Sequence, residues 1–197
     1  MVAILPMSEL DAVNLILKNL QEAPVNTLSG ELPLDASQAL VTLTEISHEV
    51  QKRGWYFNTE YFRLAPNVNK EIPLPASTLS VTTTGSSKGT PVQMRQGKLY
   101  NMTPFQSGFR FETPVELKLT LGLEFDDLPP SARSYIAHRA ARVTAVRELG
   151  DQLTYKEDLD DETRAYAELH AEQLRHQPVS LAQSPSVASV VYPTGSN

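Results

Sequence analysis

The hydrophobic period of this chain changes twice, and those two changes limit its fold more than any motif does. Up to Gly54 apolar residues recur at spacings of three and four. From Trp55 to Leu128 they fall in short runs broken by Pro, Thr and Gly, and from Pro129 the helical spacing returns. A first helix is expected after Ser8, with Asp11 three places on and Leu10, Val13, Ile16, Leu17 and Leu20 on one face, closed by Pro24. A second is expected from Asp35, with Gln38 completing a capping box and Ala36, Ala39, Leu40, Leu43, Ile46 and Val50 as its stripe, ending at Arg53-Gly54. Pro129-Pro130-Ser131 opens a third, whose stripe is Ala132, Tyr135, Ile136, Ala140, Val143, Val146 and Leu149. A fourth runs from Tyr155 or Asp158 to His176 with Leu159, Tyr166, Leu169 and Leu174 as core candidates.

Between the helical pairs the spacing predicts strands at Trp55 to Asn58, Tyr61 to Leu64, Ile72 to Leu74, Leu79 to Thr83, Val92 to Arg95, Lys98 to Tyr100, Phe109 to Phe111 and Val115 to Leu121. Gln96-Gly97 reads as a hairpin turn and Gly85 to Gly89 as a mobile loop. Short helices cannot bury their stripes alone, so the expected architecture is α+β. Residues 1–54 and 129–176 form a four-helix bundle of helices 1–2 and 3–4, with 55–128 inserted as a small antiparallel β barrel or sandwich. Residues 177–197 carry Pro178, Pro185 and Pro193 among Ser and Val with no charge after Arg175, and read as an extended C-terminal arm. No fixed-period repeat is present, which excludes a solenoid or propeller.

Composition narrows the function. The chain of 197 residues contains no cysteine, which excludes a disulfide scaffold, a Cys-ligated metal and a thiol nucleophile. With 17 Lys plus Arg against 23 Asp plus Glu its net charge is −6, the wrong sign for a protein that grips duplex DNA by releasing counterions. The opening Met1 to Met7 has no basic lead and is interrupted by Pro6, so no secretory signal is expected, and no apolar run approaches the roughly 20 residues of a membrane span.

Four histidines occur, none paired as HxxxH. His170 and His176, six apart, would point about 240° from one another around a helix. There is no GxSxG, P-loop or GxGxxG motif, so no catalytic, cofactor-binding or metal residue is assigned. Asp126-Asp127 and Asp160-Asp161-Glu162 could supply paired acids for glycoside hydrolysis, but both lie at helix starts, where carboxylates favour the dipole. Trp55 is read as a plug locking the β part to the helices, and Phe105, Phe109 and Phe111 as core or intersubunit contacts. Arg133, Arg139, Arg142 and Arg147 load the third helix while acids load the fourth, so the two can meet within a subunit or between neighbours. The interface candidates are Arg139, Arg142, Asp160, Glu162, Phe105, Val190, Val191 and Tyr192.

Three segments carry a family likeness: Asp11 to Leu17 followed by Glu22-Ala23-Pro24-Val25-Asn26-Thr27-Leu28; Gln51-Lys52-Arg53-Gly54-Trp55-Tyr56-Phe57-Asn58; and Phe125 to Ile136 running into Arg139 to Arg142. In this order the chain resembles the tail tubular protein A family, head-to-tail adaptors of T7-like short-tailed bacteriophages. The resemblance implies a structural virion protein of the tail, assembled in the host bacterial cytoplasm. Its copies would form a homo-oligomeric ring, a dodecamer, between the portal protein and the nozzle of tail tubular protein B. Tail fibres are further candidate partners, and double-stranded DNA would pass through the lumen without sequence-specific binding. No cofactor, membrane or substrate is implied. Two other readings stay open: a tail-associated polysaccharide or peptidoglycan hydrolase, for which Glu60, Glu71, Glu112, Glu116 and Glu124 are scattered candidates, and a free-standing helical binding module.

Overall fold

The computed structural model describes residues 5–148 and 152–176. It is α+β, with four helices and two small antiparallel sheets. Helix α1 spans Glu9–Asn19 and starts with the expected capping box: the Ser8 hydroxyl accepts from the Asp11 N–H (3.2 Å) and the Asp11 carboxylate accepts from the Ser8 N–H (2.9 Å). Helix α2, Leu34–Gln51, begins differently from expectation. Pro33 occupies the cap with φ −52° and no side chain closes it, so Asp35 sits inside the first turn, where its charge faces the dipole. The stop is as read: Gly54 adopts φ +77°, and a Cβ there would meet Thr120 Oγ1 at 3.1 Å.

Strands β1 (Thr59–Leu64), β2 (Thr78–Thr83) and β5 (Val115–Leu121) form one sheet in the order β1-β5-β2, and β3 (Val92–Arg95) pairs with β4 (Lys98–Asn101) as a hairpin. Its turn puts Gln96 and Gly97 at φ 53° and 68°, the left-handed pair that suits strand twist. The sheets do not close into a barrel. Three expected strands are connectors: Ile72 to Leu74 and Phe109 to Phe111 touch the hairpin through the isolated bridges Pro73↔Lys98 and Asn101↔Gly108, and Trp55 to Asn58 is a turn. Pro73 and Pro75 lack the N–H that would extend a ladder, so pairing with the hairpin stops at single bonds such as Leu74 N–H to Gly97 O and Leu99 N–H to Ile72 O (both 2.9 Å), with Ile72, Leu74 and Phe111 buried. The segment read as a mobile loop is a pinned 3₁₀ turn, Gly85–Ser87, whose Ser86 N–H donates to Glu116 Oε2 at 2.7 Å.

Helix α3 spans Pro130–Glu148 and α4 spans Gln152–His176. Helix α3 packs on each of the other three, and its Ala132, Ala137, Ala140, Ala141 and Ala145 let neighbours approach closely. Of its expected stripe, Val146 is exposed. On α4 the departure is larger: Leu159, Tyr166 and Leu174 are exposed, and the face toward α3 is Glu162, Ala165 and Leu169. The period was read from the apolar residues, whereas the buried face is built around a charge.

Two hydrophobic clusters result. One joins the four helices with Trp55, Phe125 and Leu128; the other joins Ile72, Leu74, Leu99 and Phe111 to Val115, Leu117, Leu119 and Leu121 of β5. Between them lie two fully buried amides. Gln51 Nε2 donates to Ser47 Oγ (2.9 Å) and Leu123 O (3.0 Å), and its Oε1 accepts from the Leu123 N–H (2.8 Å). Asn58 Nδ2 donates to Gln51 O (2.9 Å) and Leu121 O (2.8 Å), while its Oδ1 accepts from the Trp55 N–H (2.8 Å). The Trp55 indole closes the junction by donating to Val50 O at 2.8 Å.

Each buried group left unpaired costs about 1–3 kcal/mol. Asn58→Asp changes almost no volume but turns two donors into an acceptor facing two carbonyls. It is expected to cost about 3 kcal/mol or more in urea unfolding, and wild-type stability in that variant would rule out the amide junction as the tie between the two clusters.

Candidate functional site

The most charged interior of the molecule is the seam between α3 and α4. Glu162, 9% exposed at its side chain, pairs with the Nε of Arg142 and lies 3.5 Å from Arg139 NH1. Arg139 reaches in turn to Glu49 of α2 at 2.9 Å and to the Tyr135 hydroxyl at 3.2 Å. One buried carboxylate thus sits between two guanidiniums, and one of them, Arg139, also ties in α2. Lower on the seam the Ser131 hydroxyl donates to Glu172. That bond and one from Tyr56 hold the Glu172 carboxyl below its usual range, while desolvation and Glu172 raise the Tyr56 phenol. Tyr56 also stacks on His176 at 4.2 Å between ring centroids, and its N–H donates to Gln173 at 2.8 Å.

A second polar junction lies at the start of α1. Asp126 was expected to serve the helix it precedes, α3. Instead its Oδ1 accepts from the Glu9 N–H at 3.1 Å, at the N-terminus of α1, and lies 3.6 Å from Arg133. Arg133 also donates to the carbonyls of Leu128 (2.7 Å), Met7 (2.9 Å) and Asp126, knotting the chain entry to the start of α3. Glu9 lines a cleft of about 340 Å³ with Ser47, His48, Thr78 and Glu124. Burial, followed by the Asp126 and Glu124 carboxylates, raises the Glu9 pKa. Asp126 is engaged by a backbone amide and a guanidinium, and the carboxylates that line this cleft are Glu9 and Glu124. Among the described residues no group of three or more His, Asp or Glu is arranged to hold a metal.

The sequence candidates therefore divide. Arg139, Arg142 and Glu162 meet one another inside the chain. Asp160 is exposed on α4. Phe105 is fully exposed at φ +64°, a backbone conformation that costs a phenylalanine energy, whereas Phe111 enters the second cluster and Phe109 meets the Tyr100 ring edge at 5.0 Å. Val190, Val191 and Tyr192 lie outside the described residues. Sequence reasoning missed Gln51, Asn58 and Asn14. The Asn14 amide clamps Val25 as a strand would, donating to Val25 O at 2.9 Å and accepting from its N–H at 2.8 Å. Their signal is an amide inside an apolar stripe, a position where a side chain must find partners.

The described residues form an α+β chain with ion pairs buried between its helices and apolar side chains scattered singly over its surface. Comparison of sequences defines the family. The tail tubular protein profile matches residues 10–179, and the chain belongs to that family of structural proteins of the bacteriophage tail. It is 29% identical to tail tubular protein A of Klebsiella phage KP34 over 178 residues, covering 90% of this chain and 93% of that one.

Two measurements test these junctions. Removing one partner of a buried ion pair strands the others, so Glu162→Ala is expected to lower unfolding free energy by about 3 kcal/mol. The exposed Asp161–Arg164 pair supplies the control, and Asp161→Ala should cost less than about 1 kcal/mol. For Glu9 the sign is opposite to that of a salt-bridged acid. Its raised pKa means that ionisation opposes folding at neutral pH, and that penalty vanishes once pH falls below the ordinary value of 4.5. Glu9→Gln should raise the melting temperature at pH 7, with the gain closing toward pH 4, as read by thermal scans across that range.

Proposed function

We propose that this protein is the head-to-tail adaptor of its virion: a ring, of twelve copies, docked beneath the portal protein and above the nozzle of tail tubular protein B. The observation that carries this reading is the near end-to-end match to a tail tubular protein A, which spans the helices on both sides of the β part. In this reading the four helices act as a bundle, residues 1–54 with 129–176, and 55–128 stands out laterally as a separate β module.

A net charge of −6 suits a lumen through which DNA must pass without sticking, because like charge denies the phosphates the contacts that release counterions. A closed ring uses two different patches per copy, head to tail. Phe105 and Asp160 serve as outward contacts, and Arg139, Arg142 and Glu162 hold rigid the helical face that carries Leu159 and Tyr166. Tail fibres are further candidate partners of the assembly. The protein works without a substrate, catalytic residue or cofactor, in the virion tail, after assembly in the host cytoplasm. Among the described residues no helix is long and apolar enough to cross a membrane.

Light scattering of the purified protein, alone and mixed with the portal of the same phage, tests the reading. The expected result is a portal complex heavier by about twelve subunit masses, given the closed symmetry that such rings adopt. A chain that stays monomeric and leaves the portal's mass unchanged would overturn it and return the hydrolase reading to consideration.

A further inference from the structure

The three-stranded sheet ends on β1, and its outer side pairs with no other strand among the described residues. The opposite edge, β2, lies against β3 of the hairpin. The direction of the unpaired groups can be read from the register. Leu121 donates its N–H to Asn58 O at 2.8 Å, and 58 opposes 121 in the register that pairs Thr59 with Thr120. Hydrogen-bonded pairs alternate in an antiparallel ladder, so the backbone groups of Glu60, Phe62 and Leu64 face β5. Those of Thr59, Tyr61 and Arg63 face outward. This edge presents a six-residue row with one acidic and one basic side chain, Glu60 and Arg63, and an exposed Tyr61.

Helix α4 ends beside this edge. Tyr56, three residues before β1, holds His176 by ring stacking and Gln173 by its N–H. A cleft of about 330 Å³ lined by Tyr56, Thr59, Tyr61, Lys118, Gln173 and His176 joins the helix end to the strand. The chain that continues from there is charge-free, and between Pro185 and Pro193 it contains an uninterrupted run, Ser186-Val187-Ala188-Ser189-Val190-Val191-Tyr192, rich in residues that favour strands. The nine residues from 177 to 185 reach at most about 30 Å, and β1 is about 20 Å long. Such a linker keeps the run at millimolar effective concentration near its own edge.

We infer that residues 186–192 add to the open edge of β1 of the same chain as a fourth strand, pairing with the outward backbone groups of Thr59, Tyr61 and Arg63. Main-chain hydrogen bonds hold the strand, and its lack of charge avoids conflict with Glu60 or Arg63. This assignment concerns one chain and does not require the ring.

Amide hydrogen exchange on the full chain tests it, because the ladder carries its own control. Tyr61 and Arg63 should be protected, and Val190→Pro, which removes a donor from the added strand, should speed their exchange at least about tenfold while leaving Phe62, bonded to β5, unchanged. A chain ending at His176 should reproduce that pattern. Exchange of Tyr61 and Arg63 at the free-peptide rate in the full chain would overturn the inference. So would protection that survives both variants, or a parallel loss at Phe62, which would report the sheet rather than its edge. Protection that grows with protein concentration would place the run on a neighbouring copy and overturn the same-chain assignment.

Discussion

Two amide side chains, Gln51 and Asn58, carry the constraint on which the rest of the structure depends. Helix α2 must end, turn and hand the chain to β1 in the few residues between Gln51 and Thr59, and β5 must return to the same place before α3 can begin. Backbone groups at such a crossing have no ladder to join and are sealed from water. The amides answer carbonyls and N–H groups of two segments distant in sequence: their own turn, and the chain leaving β5 at Leu121 and Leu123. With that crossing closed, Trp55 can be buried in the helical cluster, and the sheet stands in a defined position relative to it.

The segments by which the chain resembles its family map onto three such junctions. Asn14 clamps Val25, Gln51 and Asn58 join helix to sheet, and Asp126 with Arg133 ties the entry of α1 to the start of α3. Each is a place where irregular backbone meets the interior and needs a polar side chain of a given reach. The segments quoted for the resemblance therefore coincide with places where the elements are joined.

Much of the architecture was legible because it follows from period and punctuation. Helices α1, α2 and α3, the Gln96-Gly97 hairpin and β5 came from apolar spacing, caps and turn residues, all of which act locally. What escaped was set by partners distant in sequence. On the inner face of α4 hydrophobicity found Leu169 but not Glu162, which is buried only where Arg139 and Arg142 meet it. The barrel expectation failed at Pro73 and the Phe109 connector, where strand-like composition lacks the donors or the partner to extend a ladder. Of the interface candidates, the charged trio turned inward, while Phe105 was singled out by its neighbours' polarity and stands fully exposed.

The chemistry of the α3–α4 seam has a mechanical meaning. Among the described residues helix α4 contributes Ala165 and Leu169 to the shared cluster, and it also meets α3 through the Tyr166 ring against Tyr135, through ion pairs and through hydrogen bonds. Apolar packing tolerates small sliding, whereas a carboxylate held between two guanidiniums and shielded from water has one favourable position, and salt screens it little. Helix α4 is therefore keyed to α3 at Glu162 and Glu172 rather than free to slide along it. Load arriving at its face would be passed to α3 and, through Arg139, to Glu49 of α2.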